Sequence, residues 1–162
     1  GYNVANVTGS AEANFWHDPE AVQIILDSGV HPTIVLRDAT HKAIITKEEI
    51  DELRASDNFC SNFAADLMEQ RVLVHTEVQP LYLPDSATVH DALAVAALVD
   101  RDVLQDVREV NLNVCFTGVG EGHCVIDRRE APANSNCSFA FSADRDRFVN
   151  FLIKTFKNFN EG

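Results

Sequence analysis

The chain has 162 residues, 13 Lys+Arg against 25 Asp+Glu, a formal net charge of -12 and 46% hydrophobic residues, the balance of one soluble globular domain. A surface that acidic repels a polyanion, and the basic residues are scattered, with Arg128-Arg129 the only adjacent pair, so nucleic acid is excluded as a partner. No apolar run approaches the roughly 20 residues that span a bilayer, which excludes a membrane helix; the acidity itself reads as solubility, with carboxylates around a metal left open.

The opening Gly1-Tyr2-Asn3-Val4-Ala5 has no initiator Met and fits a domain taken from something longer. Asp18-Pro19-Glu20 supplies an N-cap, a proline at the first helical position and an acid in the first turn, and Val22, Ile25 and Leu26 then share a face up to Gly29. Thr33 to Leu36 is short and β-branched, a buried strand. Thr46 with Glu49 three residues on is a capping box that opens a short helix through Ile50 and Leu53. From Asp57 to Gln79 the spacing of Phe59, Phe63, Leu67, Val74 and Val78 predicts a long helix, with Arg71 to Val74 able to form strand locally. Pro80 and Pro84 make a loop, and Thr88 starts a helix from Asp91 to Asp100, apolar on most sides and expected to be buried.

Three strands are expected at Val110 to Cys115, His123 to Asp127 and Asn136 to Ser142, the first two joined as a hairpin through Gly118, Gly120 and Gly122. Ser142 is expected to cap a final helix whose stripe is Phe148, Phe151, Leu152, Thr155, Phe156 and Phe159, a core face rather than an aromatic cage. Helices interleaved with strands predict a doubly wound, mostly parallel α/β sheet with late antiparallel strands, and ligands in such sheets sit at the carboxyl ends of the strands. Cys60, Cys115, Cys124 and Cys137 show no C-x-x-C and no zinc-finger His spacing; they allow three disulfide pairings or serve as small buried apolar residues, and the compartment stays open.

Two constellations carry chemistry. Asn6, Glu12 and Asn14 put two carboxamides and a carboxylate on one loop ahead of a capped helix, and amides that donate and accept beside a carboxylate that accepts suit several hydroxyls at once. The competing reading is a solvated or capping loop. Thr88-Val89-His90-Asp91 opens the next helix, where Thr88 and Asp91 match a capping box and His90 suits either a hydrogen-bonded, half-buried position or a proton donor beside a metal-binding or hydroxyl-binding carboxylate.

The stretch from Asn6 to Ala21 is similar to the N-V-T-x-x-A-E-x-N-x-x-x-D-P-E-A segment of nucleoside hydrolases of the inosine/uridine-preferring type, with every spacing kept. Pro32 to His41 resembles that family's strand and following D-x-T, and Val89 to Ala96 resembles its H-D-P-x-A-V-A helix start, so the likeness covers nearly the whole chain as one domain, residues 1–162, the C-terminal portion of the family's fold. The resemblance implies N-glycosidic hydrolysis of a ribonucleoside to ribose and free base. Asn6, Glu12 and Asn14 would hold ribose hydroxyls, His90 would donate a proton toward the leaving base, and Asp91 would ligate Ca2+ and help bind the sugar.

The resemblance has three departures. The family's N-terminal D-x-D-x-G-x-D-D cluster, source of most calcium ligands and the general base, occurs nowhere in these residues. Ala13 stands where an aromatic usually lines the nucleoside pocket, and Ala92 replaces the proline after His-Asp. The expected partners are therefore an N-terminal half and further copies of the same molecule, with the isolated chain inactive; the alternative is a non-catalytic ribose-binding or interaction module.

Overall fold

The computed structural model describes residues 2–129 and 134–159; Gly1 of the opening segment lies outside them. The chain forms two compact units, each made of two separated stretches: residues 1–39 with 104–142, and residues 40–103 with 143–162.

In the first unit, α1 (Ala13–His17) and α2 (Pro19–Asp27) follow the opening loop, and β1 (Thr33–Val35) leads into α3 (Arg37–Thr40), whose last residue belongs to the second unit. The start of α2 is as the sequence predicts: Asp18 caps it by accepting the Ala21 N–H, and Pro19 sits in the first turn, where no intrahelical donor is required. The strands are β4 (Leu104–Val110), β5 (Leu112–Val114), β6 (Cys124–Ile126) and β7 (Cys137–Ala143). They form one sheet of order β1-β7-β4, in which Thr33, Ile34 and Val35 pair in parallel with Ser138, Phe139 and Ala140, and a separate antiparallel pair, β5 with β6. The expected late hairpin is therefore present, and Gly118 and Gly122 take the positive φ that its turn requires. Its core gathers Phe15, Leu26, Leu36, Leu112, Val114, Cys124, Cys137 and Phe139. All four cysteines are free thiols.

β4 was not expected. Its first residue, Leu104, is buried and the five after it are exposed, so a polar sequence carries no period for a sequence reading to find. The expected strand at Val110 to Cys115 divides at Asn111 between the end of β4 and β5.

In the second unit, β2 (Ile44–Thr46) pairs antiparallel with β3 (Ser86–Thr88), Ile44 opposite Thr88. The helices are α4 (Lys47–Arg54), α5 (Phe59–Glu77), α6 (His90–Val99) and α7 (Arg145–Lys157). The Thr46/Glu49 capping box forms as predicted, and Glu49 also takes a two-pronged hydrogen bond from Arg145 at 2.7 and 2.8 Å, joining α4 to α7. Arg71 to Val74 is helical throughout.

The long helix expected from Asp57 to Gln79 forms as α5, while two sequence expectations, for α6 and α7, need correction. The large apolar residues of α5 face outward, with Phe59 69%, Phe63 55% and Leu67 54% exposed, while Ser61, Ala64, Ala65 and Met68 are buried, because small side chains let α5 approach α4 closely. α6 buries Leu93 and Ala96 but exposes Val95, Leu98 and Val99, so it is one-sided rather than buried throughout. α7 is capped by Asp144, which accepts the Arg147 N–H, and not by Ser142, which belongs to β7; its buried face is Phe148, Val149, Leu152 and Ile153, and Phe159 lies beyond its end. Among the described residues no helix is long and apolar enough to cross a membrane.

Candidate functional site

The opening loop of the first unit is tightly tied. The Asn6 and Val7 amides both donate to the Ala11 carbonyl, and Thr8 Oγ1 accepts from the Ser10 and Ala11 amides. Asn6 Oδ1 accepts the Ala13 N–H at 2.9 Å, so the carboxamide oxygen satisfies a donor at the start of α1. Asn6 thus does part of what the capping reading expects.

Glu12 occupies the N-cap position of α1 but makes no capping bond. Its side chain turns inward to 9% exposure, and Oε2 accepts the Arg37 backbone N–H at 2.9 Å. Burial pushes the carboxyl above its ordinary value, opposed by that hydrogen bond. Asn14, two residues on, is exposed in the first turn of α1.

The loop is braced by residues that the sequence reading passed over. His123 Nδ1 donates to the Ser10 carbonyl at 2.9 Å, Ser10 Oγ donates to the Val119 carbonyl at 3.3 Å, and Gly122 packs against the backbone of Trp16. Asp38 is 4% exposed and accepts the Tyr2 and Asn3 amides at 3.0 and 2.8 Å, anchoring the segment that enters the loop. The D-x-T pattern marks Asp38 in sequence, but no local signal marks the hairpin brace, because its partners are over 100 positions apart.

In the second unit, His90 and Asp91 open α6, but the expected Thr88/Asp91 capping box is absent. Val89 is the N-cap residue and no side chain caps the helix, because Thr88 belongs to β3 and is fully buried. The Thr88 hydroxyl lies between two histidines, 2.8 Å from His75 Nε2 and 3.1 Å from His90 Nε2. His90 Nδ1 lies 2.7 Å from Thr40 Oγ1, and the His41 ring stacks on that of His90 at 6.1 Å between centroids. Both ring nitrogens of His90 therefore have a protein partner. Asp91 is exposed, with its carboxylate in the first turn, where the helix dipole favours an acid.

Residues 1–150 match the family described as inosine-uridine preferring nucleoside hydrolase. The chain belongs to that family.

Similar nucleoside hydrolases include a pyrimidine-specific ribonucleoside hydrolase of Photobacterium profundum, 28% identical over 161 residues that cover 95% of this chain and 49% of the relative. A protein of the same description from Shewanella sp. (strain MR-4) is 31% identical over 157 residues, covering 93% of this chain and 47% of the relative. Among solved structures, a plant nucleoside hydrolase superposes with a TM-score of 0.85 at 22% identity, covering 98% of this chain and 51% of that one. A purine-preferring ribonucleoside hydrolase from Gardnerella vaginalis superposes with a TM-score of 0.81 at 26% identity, covering 94% and 48%. The chain thus has the fold of part of a nucleoside hydrolase, and it spans about half the length of the curated relatives it matches.

The resemblance implies a calcium ion, and calcium takes six to eight oxygens. Among the described residues no group of three or more His, Cys, Asp or Glu side chains is placed to hold a metal, and Asp91 offers a single carboxylate. The described residues do not make a calcium site by themselves.

Proposed function

We propose that this chain is the ribose-binding and leaving-group portion of an N-ribosyl hydrolase, which converts a ribonucleoside and water to ribose and free base. The observation that carries the reading is Glu12, a buried carboxylate whose Oε2 is held by a backbone N–H, on a loop that also carries Asn6 and leads into Asn14 in the first turn of α1. A carboxylate only accepts, and sugar hydroxyls donate to it; the Asn14 carboxamide and the Asn6 amide nitrogen add donors and an acceptor.

In the proposed reaction the C1′–N bond breaks, its electron pair leaves with the base, and a water oxygen bonds to C1′ as the ribose passes through an oxocarbenium-like state. Glu12, Asn6 and Asn14 hold the hydroxyls while charge develops on the ring. His90 donates a proton to the departing base. Asp91 binds the sugar and supplies one oxygen toward calcium, the other ligands and the general base coming from an N-terminal portion. The complete molecule is proposed to be a homo-oligomer.

A second reading, a ribose-binding module without turnover, is favoured by one observation: both ring nitrogens of His90 are engaged by threonine hydroxyls. One experiment separates the two. Calorimetric titration with ribose is expected to show binding that Glu12→Gln abolishes. The full-length polypeptide supplied with calcium and inosine or uridine is expected to release free base, and to lose that release on His90→Ala. Ribose binding without base release supports the module; absence of both overturns the proposal.

A further inference from the structure

The histidine and threonine side chains around His90 form a hydrogen-bonded series whose direction follows from its fixed end. His75, on α5, is 2% exposed, and its Nδ1 lies 3.0 Å from the Gln79 backbone carbonyl. A carbonyl oxygen only accepts, so Nδ1 carries a hydrogen. In a neutral ring Nε2 is then an acceptor. The group facing it at 2.8 Å is the Thr88 hydroxyl, which must donate. Thr88 has one hydrogen, and with that committed its oxygen accepts from the neighbour on its other side, His90 Nε2 at 3.1 Å. His90 therefore carries its hydrogen on Nε2, and Nδ1 accepts from the Thr40 hydroxyl at 2.7 Å.

Reversing any member of this series would bring two donors or two lone pairs face to face. The hydroxyls are sealed from solvent, Thr88 at 0% and Thr40 at 2% exposure, so bulk water does not relieve such a conflict. The supports lie in regular secondary structure. Thr88 sits in the β2/β3 ladder opposite Ile44, Thr40 ends α3, and His75 lies in the last turn of α5. His41 covers one face of the His90 ring with planes 22° apart.

The geometry points to His75 as a positioning residue that acts through Thr88 to fix His90 as the Nε2–H tautomer in one ring orientation, leaving Nδ1, on the side of Thr40, as the nitrogen with a lone pair. The tautomer stands on hydrogen-bond geometry alone. Its consequence for turnover rests on the reading of His90 as the leaving-group acid: that role needs a doubly protonated ring, with Nε2 holding its hydrogen for Thr88 while a second proton, taken up from solvent at Nδ1, passes to the base and leaves the ring neutral.

The test uses the full-length polypeptide labelled with 15N-histidine, with the His90 signals assigned by their loss in His90→Gln. Long-range proton–nitrogen correlation at neutral pH is expected to show a pyrrole-type Nε2 and a pyridine-type Nδ1 for His90. Thr88→Val removes the hydroxyl and is expected to average the two nitrogens; Thr88→Ser restores the single pattern, and His75→Phe behaves as Thr88→Val. In turnover, Thr88→Val is expected to lower kcat roughly tenfold or more at nearly constant KM, with recovery in Thr88→Ser. A pyridine-type Nε2 on His90 in the unsubstituted protein overturns the inference, whether or not any variant folds, and so does an unchanged pattern in a folded Thr88→Val. Absent turnover with the expected nitrogen pattern overturns the catalytic reading of His90 and leaves the tautomer assignment standing.

Discussion

Gly122 and Trp16 are in direct backbone contact: a Cβ on Gly122 would lie 2.6 Å from the Trp16 Cα, and the glycine also holds φ at +75°. Gly122→Ala therefore meets two penalties at once, the left-handed conformation, about 1–2 kcal/mol for an L-residue, and an overlap with backbone that cannot rotate away. Urea denaturation is expected to show a loss of about 2 kcal/mol or more. Because α1 begins at the proposed sugar loop, ribose binding is expected to weaken as well, although Gly122 is proposed to touch no ligand. Unchanged stability would mean that the hairpin does not brace this loop.

Glu12 ties stability to pH in the direction opposite to a salt-bridged acid. Burial raises its folded value above 4.5, so between 4.5 and that raised value the folded chain holds more protons than the unfolded one. Stability then falls as pH rises through that window and stays at the lower level above it. Glu12→Gln keeps the shape and removes the ionisation. Urea midpoints from about pH 4 to about pH 8 are expected to show a shallower decline for the variant, together with lost ribose binding. A steeper decline in the variant would contradict the assigned environment.

Asp91 separates its proposed role from folding more cleanly than the sequence suggested. The Thr-x-x-Asp spacing predicts a capping box whose removal would weaken α6, but Thr88 faces two histidines and Asp91 is exposed without a capping partner. Asp91→Asn then costs only the dipole contribution of an exposed first-turn acid, about 0.3–1 kcal/mol. Thermal unfolding is expected to shift by a few degrees at most, while base release by the full-length polypeptide falls by orders of magnitude. A large stability loss would restore a structural role.

The features legible in sequence were local ones. Asp18 and Pro19 opening α2, the Thr46/Glu49 box and the β-branched run at Thr33 each state their own structure within a few residues, although that strand is exposed at Thr33 and half-buried at Ile34 and Val35 rather than buried. The spacing from Asn6 to Ala21 likewise carries the family likeness that the match over residues 1–150 bears out. What sequence could not show depends on remote partners: the His123–Ser10 bond, the Gln79–His75–Thr88–His90 series, and a polar β4 that exists because β7 is there to pair with it. Asp144 rather than Ser142 caps α7 because β7 continues through Ala143 before the chain turns.

The orientation of α5 turns the same distinction into a measurement. By size and spacing, Phe59, Phe63 and Leu67 are its core face, yet Phe63 is 55% exposed and Met68, five positions on, is 4% exposed. Truncating a buried Met forfeits its packing and leaves a cavity, about 2–5 kcal/mol, whereas truncating a side chain already half in water forfeits much less. Met68→Ala is expected to destabilise by about 2 kcal/mol or more and Phe63→Ala by under about 1 kcal/mol in parallel denaturant titrations. Should Phe63→Ala prove the costlier, α5 is rotated from the orientation described, and His75, which shares that helix, would no longer face Thr88.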